Sequence, residues 1–198
     1  MLDLVTRETE RIDSRFLEPA CGTGNFLAPL LERKLAVVKG KYSKSQLEFE
    51  RNAMVAIGSL YGVDILEDNV HHCRNRLFST FDEVYTALFK KKCKDPCREA
   101  VRYVLSRNIL FGDALSLMTV AEQPEPIVFS KWSLVRGSLI QRLDYIFAEL
   151  VPENEQNTGL FANRKLSDIG TPIFIPKPVK KHALTHFFNL NYENSNKL

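Results

Sequence analysis

The densest chemistry in the chain lies in Glu18-Pro19-Ala20-Cys21-Gly22-Thr23-Gly24-Asn25-Phe26. Gly22 and Gly24 let a backbone turn sharply and approach a ligand with no Cβ in the way. Two further carboxylates sit in related contexts: Asp64 closes Tyr61-Gly62-Val63-Asp64, and Asp113 closes Asn108-Ile109-Leu110-Phe111-Gly112-Asp113. An ionised carboxylate only accepts hydrogen bonds, so Asp64 suits the diol of a ribose and Asp113 an exocyclic amine. Ile65 is placed to cover one face of an adenine ring, and Ala114 or Leu115 to offer it a backbone N–H. A lone aspartate after a strand reads equally well as a turn cap. A glycine bend and two such acids, in this order, point instead to one nucleoside.

The nucleoside is not part of a common dinucleotide or nucleoside triphosphate. A dinucleotide loop wants a third glycine where this chain has Leu27, and no Gly-Lys-Ser/Thr is present for ATP. The ribose acid of a dinucleotide fold follows its loop by roughly 20 residues, whereas Asp64 lies beyond an inserted helix. The four cysteines, Cys21, Cys73, Cys93 and Cys97, contain no Cys-x-x-Cys pair, so no metal site is expected.

These groups need a scaffold that brings strand ends together, and the patterning supplies one. Residues 1–11 read as a short amphipathic helix, Arg15-Phe16-Leu17-Glu18-Pro19-Ala20 as a short buried strand, and 26–38 as the helix leaving the glycine loop. Lys39-Gly40-Lys41-Tyr42-Ser43 reads as a break. Ser45 with Glu48 forms a capping box for a helix carrying Leu47, Val55, Ile57 and Leu60 inward. Residues 67–92 carry a helical stripe of Leu77, Phe78, Phe81, Val84, Tyr85, Leu88 and Phe89. Asp95-Pro96 opens another helix. Pro126-Ile127-Val128-Phe129 and Leu143-Asp144-Tyr145-Ile146-Phe147 are further strand candidates. Strands alternating with helices predict an α/β fold with a mainly parallel sheet, which binds ligands at the carboxyl ends of its strands. The domain is expected over 1–150, with 151–198 a loosely structured extension.

Composition narrows the class. With 198 residues, 44% hydrophobic and 26% charged, the chain can build one ordinary core. It has neither a membrane-length apolar run nor a secretory h-region, so a cytoplasmic location is expected. The net charge of +3 is modest, but a basic run includes Arg74, Arg76, Lys90, Lys91, Lys92, Lys94, Arg98, Arg102 and Arg107. Such a run suits either a phosphate backbone or a solvated helix surface.

The run from Phe16 to Leu27 resembles the cofactor motif of class I S-adenosylmethionine (SAM)-dependent DNA methyltransferases, in the amino-methylating version found in restriction–modification systems. Tyr61-Gly62-Val63-Asp64-Ile65 resembles that family's second motif, and Ile109-Leu110-Phe111-Gly112-Asp113-Ala114-Leu115 its third. The resemblance covers roughly residues 1–117. It implies a partial Rossmann-like SAM-methyltransferase fold, three-layer αβα with a mainly parallel sheet. It also implies that Glu18, Pro19, Ala20, Cys21, Gly22 and Gly24 surround the methionine part of SAM. Asp64 would hold the ribose, Ile65 would pack on the adenine, and Asp113 with Ala114 would meet the adenine edge.

The chain departs from the family after its third motif. Amino methyltransferases carry an acceptor, two prolines and an aromatic ring after a fourth strand, where the target base is received outside the duplex; no Pro-Pro occurs here. Trp132 and Glu149 are the candidates nearest to a replacement: Trp132 for stacking, Glu149 as acceptor. The expectation is a SAM-binding module of a DNA adenine-N6 methyltransferase, with DNA and a companion restriction–modification subunit as partners. The alternatives are a non-catalytic or degenerate SAM- or partner-binding subunit, and a methyltransferase acting on protein or small molecules.

Overall fold

The computed structural model describes residues 6–150, 164–166, 172–174 and 176–194. Its centre is a sheet in the order β1 (Phe16–Glu18), β2 (Leu60–Asp64), β3 (Ile109–Asp113) and β4 (Met118–Thr119). The first three strands are parallel, with Leu17 opposite Tyr61 and Val63 opposite Leu110, and β4 turns back antiparallel to β3.

Between the strands run the helices. After α1 (Thr6–Thr9), α2 (Leu27–Tyr42) and α3 (Gln46–Gly58) connect β1 to β2, and α4 (Glu67–Phe89) and α5 (Asp95–Asn108) connect β2 to β3. Each packs by a helical stripe: Leu27, Leu30, Leu31, Leu35 and Val38 on α2, and Val70, Cys73, Leu77, Phe81 and Tyr85 on α4 are all buried. These stripes meet Leu60 and Ile109 in one core. Successive strand residues point to opposite faces, and Tyr61 and Val63 accordingly enter a second core with Ile127, Phe129 and Phe147.

That second face is covered by a β-ribbon rather than by helices. The ribbon pairs β5 (Val128–Arg136) antiparallel with β6 (Leu139–Ile146). It approaches β3 so closely that a Cβ at Gly112 would lie 2.6 Å from Ile127 Cδ1, so glycine is needed there. Farther along, Ser130 and Trp132 reach the ends of α3 and α5. Asn108 donates to Gly58 O (3.2 Å) and accepts from the Ser130 N–H (3.3 Å) and Trp132 Nε1 (3.4 Å).

A mixed α/β fold with a largely open sheet is therefore present; among the described residues, the helices share one core with Leu60, Ile109 and the ribbon residues Trp132 and Ile140, and Phe129 covers Tyr61 and Val63 on the other face of β2. The two late strand candidates are not additions to the parallel sheet; they are the arms of the ribbon. Much of the expected loose extension lies outside the described residues, and the rest is structured. Its strands β7 (Arg164–Leu166) and β8 (Pro172–Phe174) pair with each other, and β9 (Lys180–Lys181) and β10 (Thr185–His186) pair with β6. Phe187 and Leu190 are buried in the main core, so apolar anchoring ties this segment to the domain.

Smaller expectations were adjusted by local physics. Ser45 caps α3, accepting from the Glu48 N–H, but Leu47 is 44% exposed and Phe49, Ala53, Met54 and Ile57 form the buried stripe. Leu60 is buried from β2, outside that helix. α2 runs through Gly40 to Tyr42 instead of breaking at Lys39. α4 ends at Phe89, where Lys90 takes φ +51 and starts a 3-10 turn. Of the expected N-terminal helix, 6–9 is observed and 1–5 lies outside the described residues.

Candidate functional site

β1 delivers the chain into a tight loop whose backbone is fixed at both ends. The Cys21 N–H donates to Val63 O (2.9 Å) on the neighbouring strand, the Gly24 N–H closes a turn onto Cys21 O (2.9 Å), and Gly24 O accepts the Ala28 N–H (2.9 Å) that starts α2. Gly22 and Gly24 have φ of +50° and +84°, a region costly for residues with a Cβ. A Cβ at Gly24 would also lie 3.1 Å from Cys73 Sγ; one at Gly22 would meet nothing within 4 Å. The loop is therefore crowded beneath Gly24 and open above Gly22.

Asp64 ties this loop to β2. Its Oδ2 accepts the Gly22 N–H (2.7 Å), and its Oδ1 accepts the Leu66 N–H (3.0 Å) and Asn69 Nδ2 (3.0 Å). Burial alone would raise the pKa of this 9% exposed carboxyl; the donors from Leu66, Asn69 and Gly22 outweigh it and hold the group below its ordinary value. A carboxylate has about four lone-pair sites, so three donors leave one, on Oδ2. As found, Asp64 has room for one ribose hydroxyl, not for both of a diol.

Asp113 ends β3 two strands from β1. Its Oδ1 accepts the Leu115 N–H (2.9 Å) and its Oδ2 the Ser116 N–H (3.3 Å). The Leu115 N–H, the Ser116 hydroxyl and the Ser116 N–H together hold its carboxyl below the ordinary range. The carboxylate keeps an acceptor site. The Leu115 N–H is spent, however, and cannot meet an adenine edge while this turn persists; Ala114 packs beside the ribbon core.

The two strand ends also expose apolar surface, Ile65 being 60% and Leu115 95% accessible. Glu18 turns back on its own backbone, with Oε1 accepting the Ala20 N–H at 3.4 Å, and Pro19 and Ala20 are exposed. Cys21 differs from the expectation. Its side chain is 4% exposed and faces inward, with Sγ 3.0 Å from where a Gly62 Cβ would be. Hydrogen bonding to Cys73 and burial push the Cys21 thiol far up, while the same bond lowers Cys73. Only the Cys21 backbone serves the loop.

Neither replacement for the missing aromatic and acceptor fits its expected part. Trp132 is 7% exposed, lies against Gly58 and meets the Tyr103 ring edge-on at 6.1 Å, so it is a core anchor. Glu149 is exposed on the 3-10 turn Phe147–Glu149 that ends the ribbon, and the one aromatic ring of that turn, Phe147, is buried. The basic run is partly spent internally. Arg74 donates to Ile109 O, Arg76 to Asn25 Oδ1, Lys94 to Glu50 and Arg98 to Asp82 and Asp95. Arg102 stacks over the Phe78 ring at 3.6 Å. Lys90, Lys91 and Lys92 are exposed at the end of α4 remote from the glycine loop.

Sequence reading missed Asn69. Its position in the first turn of the helix after β2 was the available signal, since a side-chain amide there can reach back to the strand-end acid. Among the described residues, no group of three or more His, Cys, Asp or Glu is arranged to hold a metal, and no helix is long and apolar enough to cross a membrane. No family model, curated protein or solved structure matches the chain.

Proposed function

We propose that the chain is the SAM-binding module of a DNA methyltransferase of the adenine-N6 kind. The observation that carries this reading is the Gly22–Asp64 hydrogen bond, which joins a positive-φ glycine loop to the strand-end carboxylate beside it. The residues present fit the nucleoside part of SAM. Asp64 keeps one acceptor for a ribose hydroxyl, Ile65 offers an uncovered apolar face for an adenine ring, and Asp113 keeps an acceptor for its amine. The open space above Gly22 leaves room for the methionine part. Glu18, Pro19 and Ala20 border that space. When bound, SAM supplies an electrophilic methyl group; the protein's contribution is position and water exclusion.

A second reading is favoured by a specific observation: a SAM-binding subunit that relies on a companion for catalysis. Trp132 is buried, the Phe147 ring in the turn of Glu149 is buried, and β1 has no strand on its outer side among the described residues. A methyl-transfer assay with labelled SAM and unmethylated DNA separates the two. Transfer by the purified chain supports catalysis by this module; transfer only with an added companion subunit supports the second reading. Methylation indifferent to added DNA overturns the DNA assignment.

A further inference from the structure

β1 is an open edge. It pairs with β2 on one side and with nothing on the other among the described residues. The Phe16 N–H is spent on Ser59 O (3.0 Å), so the alternation of a strand turns the N–H and C=O of Leu17 outward. The next outward position, Pro19, has no N–H to offer, so a donor row along this edge stops there.

Beside the edge lies a groove of about 470 Å³ whose lining includes Leu17, Tyr61, Phe129 and Leu150, Pro176 from the C-terminal extension, and the two cations Arg15 and Lys131. Leu17 and Tyr61 are register partners on one sheet face, and Leu17 is 41% exposed. The same two cations also border an adjoining polar hollow of about 240 Å³. Main-chain groups that seek a partner, an apolar slot for alternate side chains and a cationic rim are the parts of a strand-addition site.

We infer that the outer edge of β1 receives an extended segment of a second polypeptide, with a large apolar side chain over the Leu17–Tyr61–Phe129 groove and an acidic residue toward Arg15 and Lys131. The acid is favoured by charge: among the described residues that line the groove, Arg15 and Lys131 are cations and none is a carboxylate, Asp13 lying in the adjoining hollow. The apolar residue is required by the aromatic lining. A strand running parallel to β1 ends beside the glycine loop, on the side of β1 that carries no strand among the described residues. The docking stands on the edge and the groove; only its consequence for methyl transfer rests on the SAM reading.

The test uses the full chain and a capped heptapeptide, Thr-Asp-Val-Phe-Val-Asp-Thr. Two N-methylated versions block alternate amides, because an added strand bonds through every second residue only. Amide exchange by NMR is expected to show Leu17 unprotected in the free chain and slowed about tenfold or more with saturating peptide. One N-methylated version should bind about tenfold more weakly and the other like the parent, and Lys131→Glu should weaken the parent about tenfold. A Leu17 amide already protected without peptide, no binding of the parent, or equal binding of both methylated versions overturns the inference. SAM titration of the same sample keeps the two questions apart: peptide binding without SAM binding removes the cofactor reading and leaves the docking edge.

Discussion

Asp64 and Asp144 are both buried carboxylates, 9% and 5% exposed, yet they hold different kinds of structure together. Asp144, on the ribbon, has all its acceptor sites filled by side chains. Ser130 Oγ (2.7 Å) and Arg142 Nε (2.8 Å) reach Oδ1; Arg142 Nη2 (2.9 Å) and His182 Nε2 (2.7 Å) reach Oδ2. Arg142 also donates to the Tyr103 hydroxyl (2.7 Å), which ties the ribbon to α5. Asp64 is held mainly by backbone donors, keeps one acceptor unspent and stands next to exposed Ile65. The comparison separates a charge spent entirely on structure from one that keeps an acceptor for the proposed ligand. Burial is similar in both; what differs is whether every acceptor is used and whether apolar surface nearby is left uncovered.

The strongest way to break this comparison is to remove Asp144. Asp144→Ala leaves Arg142 buried without its counter-charge, and about 3–5 kcal/mol of stability should be lost. Denaturant titration measures that loss. SAM affinity of the protein that remains folded should not change; a large change would place the ribbon network in the site.

A smaller effect is expected at the loop. Gly24→Ala forces a Cβ into a φ of +84° and to 3.1 Å from Cys73 Sγ, costing about 1–2 kcal/mol of stability, with SAM affinity falling as the loop shifts. Stability and affinity should fall together here, in contrast to Asp144→Ala. An unchanged melting temperature would show that the loop conformation is not the constraint it is taken to be.

The smallest effect is in pH. Burial works to raise the Asp64 pKa, but the donors from Leu66, Asn69 and Gly22 leave it lowered. Between that lowered value and the unfolded value of about 3.9, the unfolded chain binds more protons than the folded one, so stability rises with pH there. The contribution of Asp64 is complete above the unfolded value and is lost as pH falls through the folded one. Thermal melts of the wild type and Asp64→Asn should therefore converge in acid, from a gap of about 1–2 kcal/mol near neutrality. A gap independent of pH would mean that the carboxylate charge contributes nothing.

Much of the crevice was legible in the sequence because short-range rules govern it. Strands β1, β2 and β3 announce themselves by apolar runs ending in an acid or a glycine bend, and Ser45 by its capping box. The ribbon was not legible as a ribbon. Val128 and Leu143 sit in apolar runs that suit a buried parallel strand equally well, and only their mutual pairing decides otherwise. Trp132 looked available because a sequence does not show that Gly58 lies directly beneath it. The tail looked loose because its prolines and polar residues outweigh the two anchors, Phe187 and Leu190, that pin it. Asp64 was placed at the right strand end, but its occupancy by Gly22, Leu66 and Asn69 depends on geometry that no spacing rule encodes.

The central claim is that Asp64, through its remaining acceptor and its hold on the glycine loop, forms the floor of a nucleoside site. Calorimetric titration of SAM into the full chain and into Asp64→Ala, with folding of both checked by circular dichroism, tests it most directly. Saturable binding by the wild type, weakened about 100-fold in the variant, is the predicted result. A folded wild type that takes up no SAM, or an Asp64→Ala variant that binds it equally well, would contradict the account.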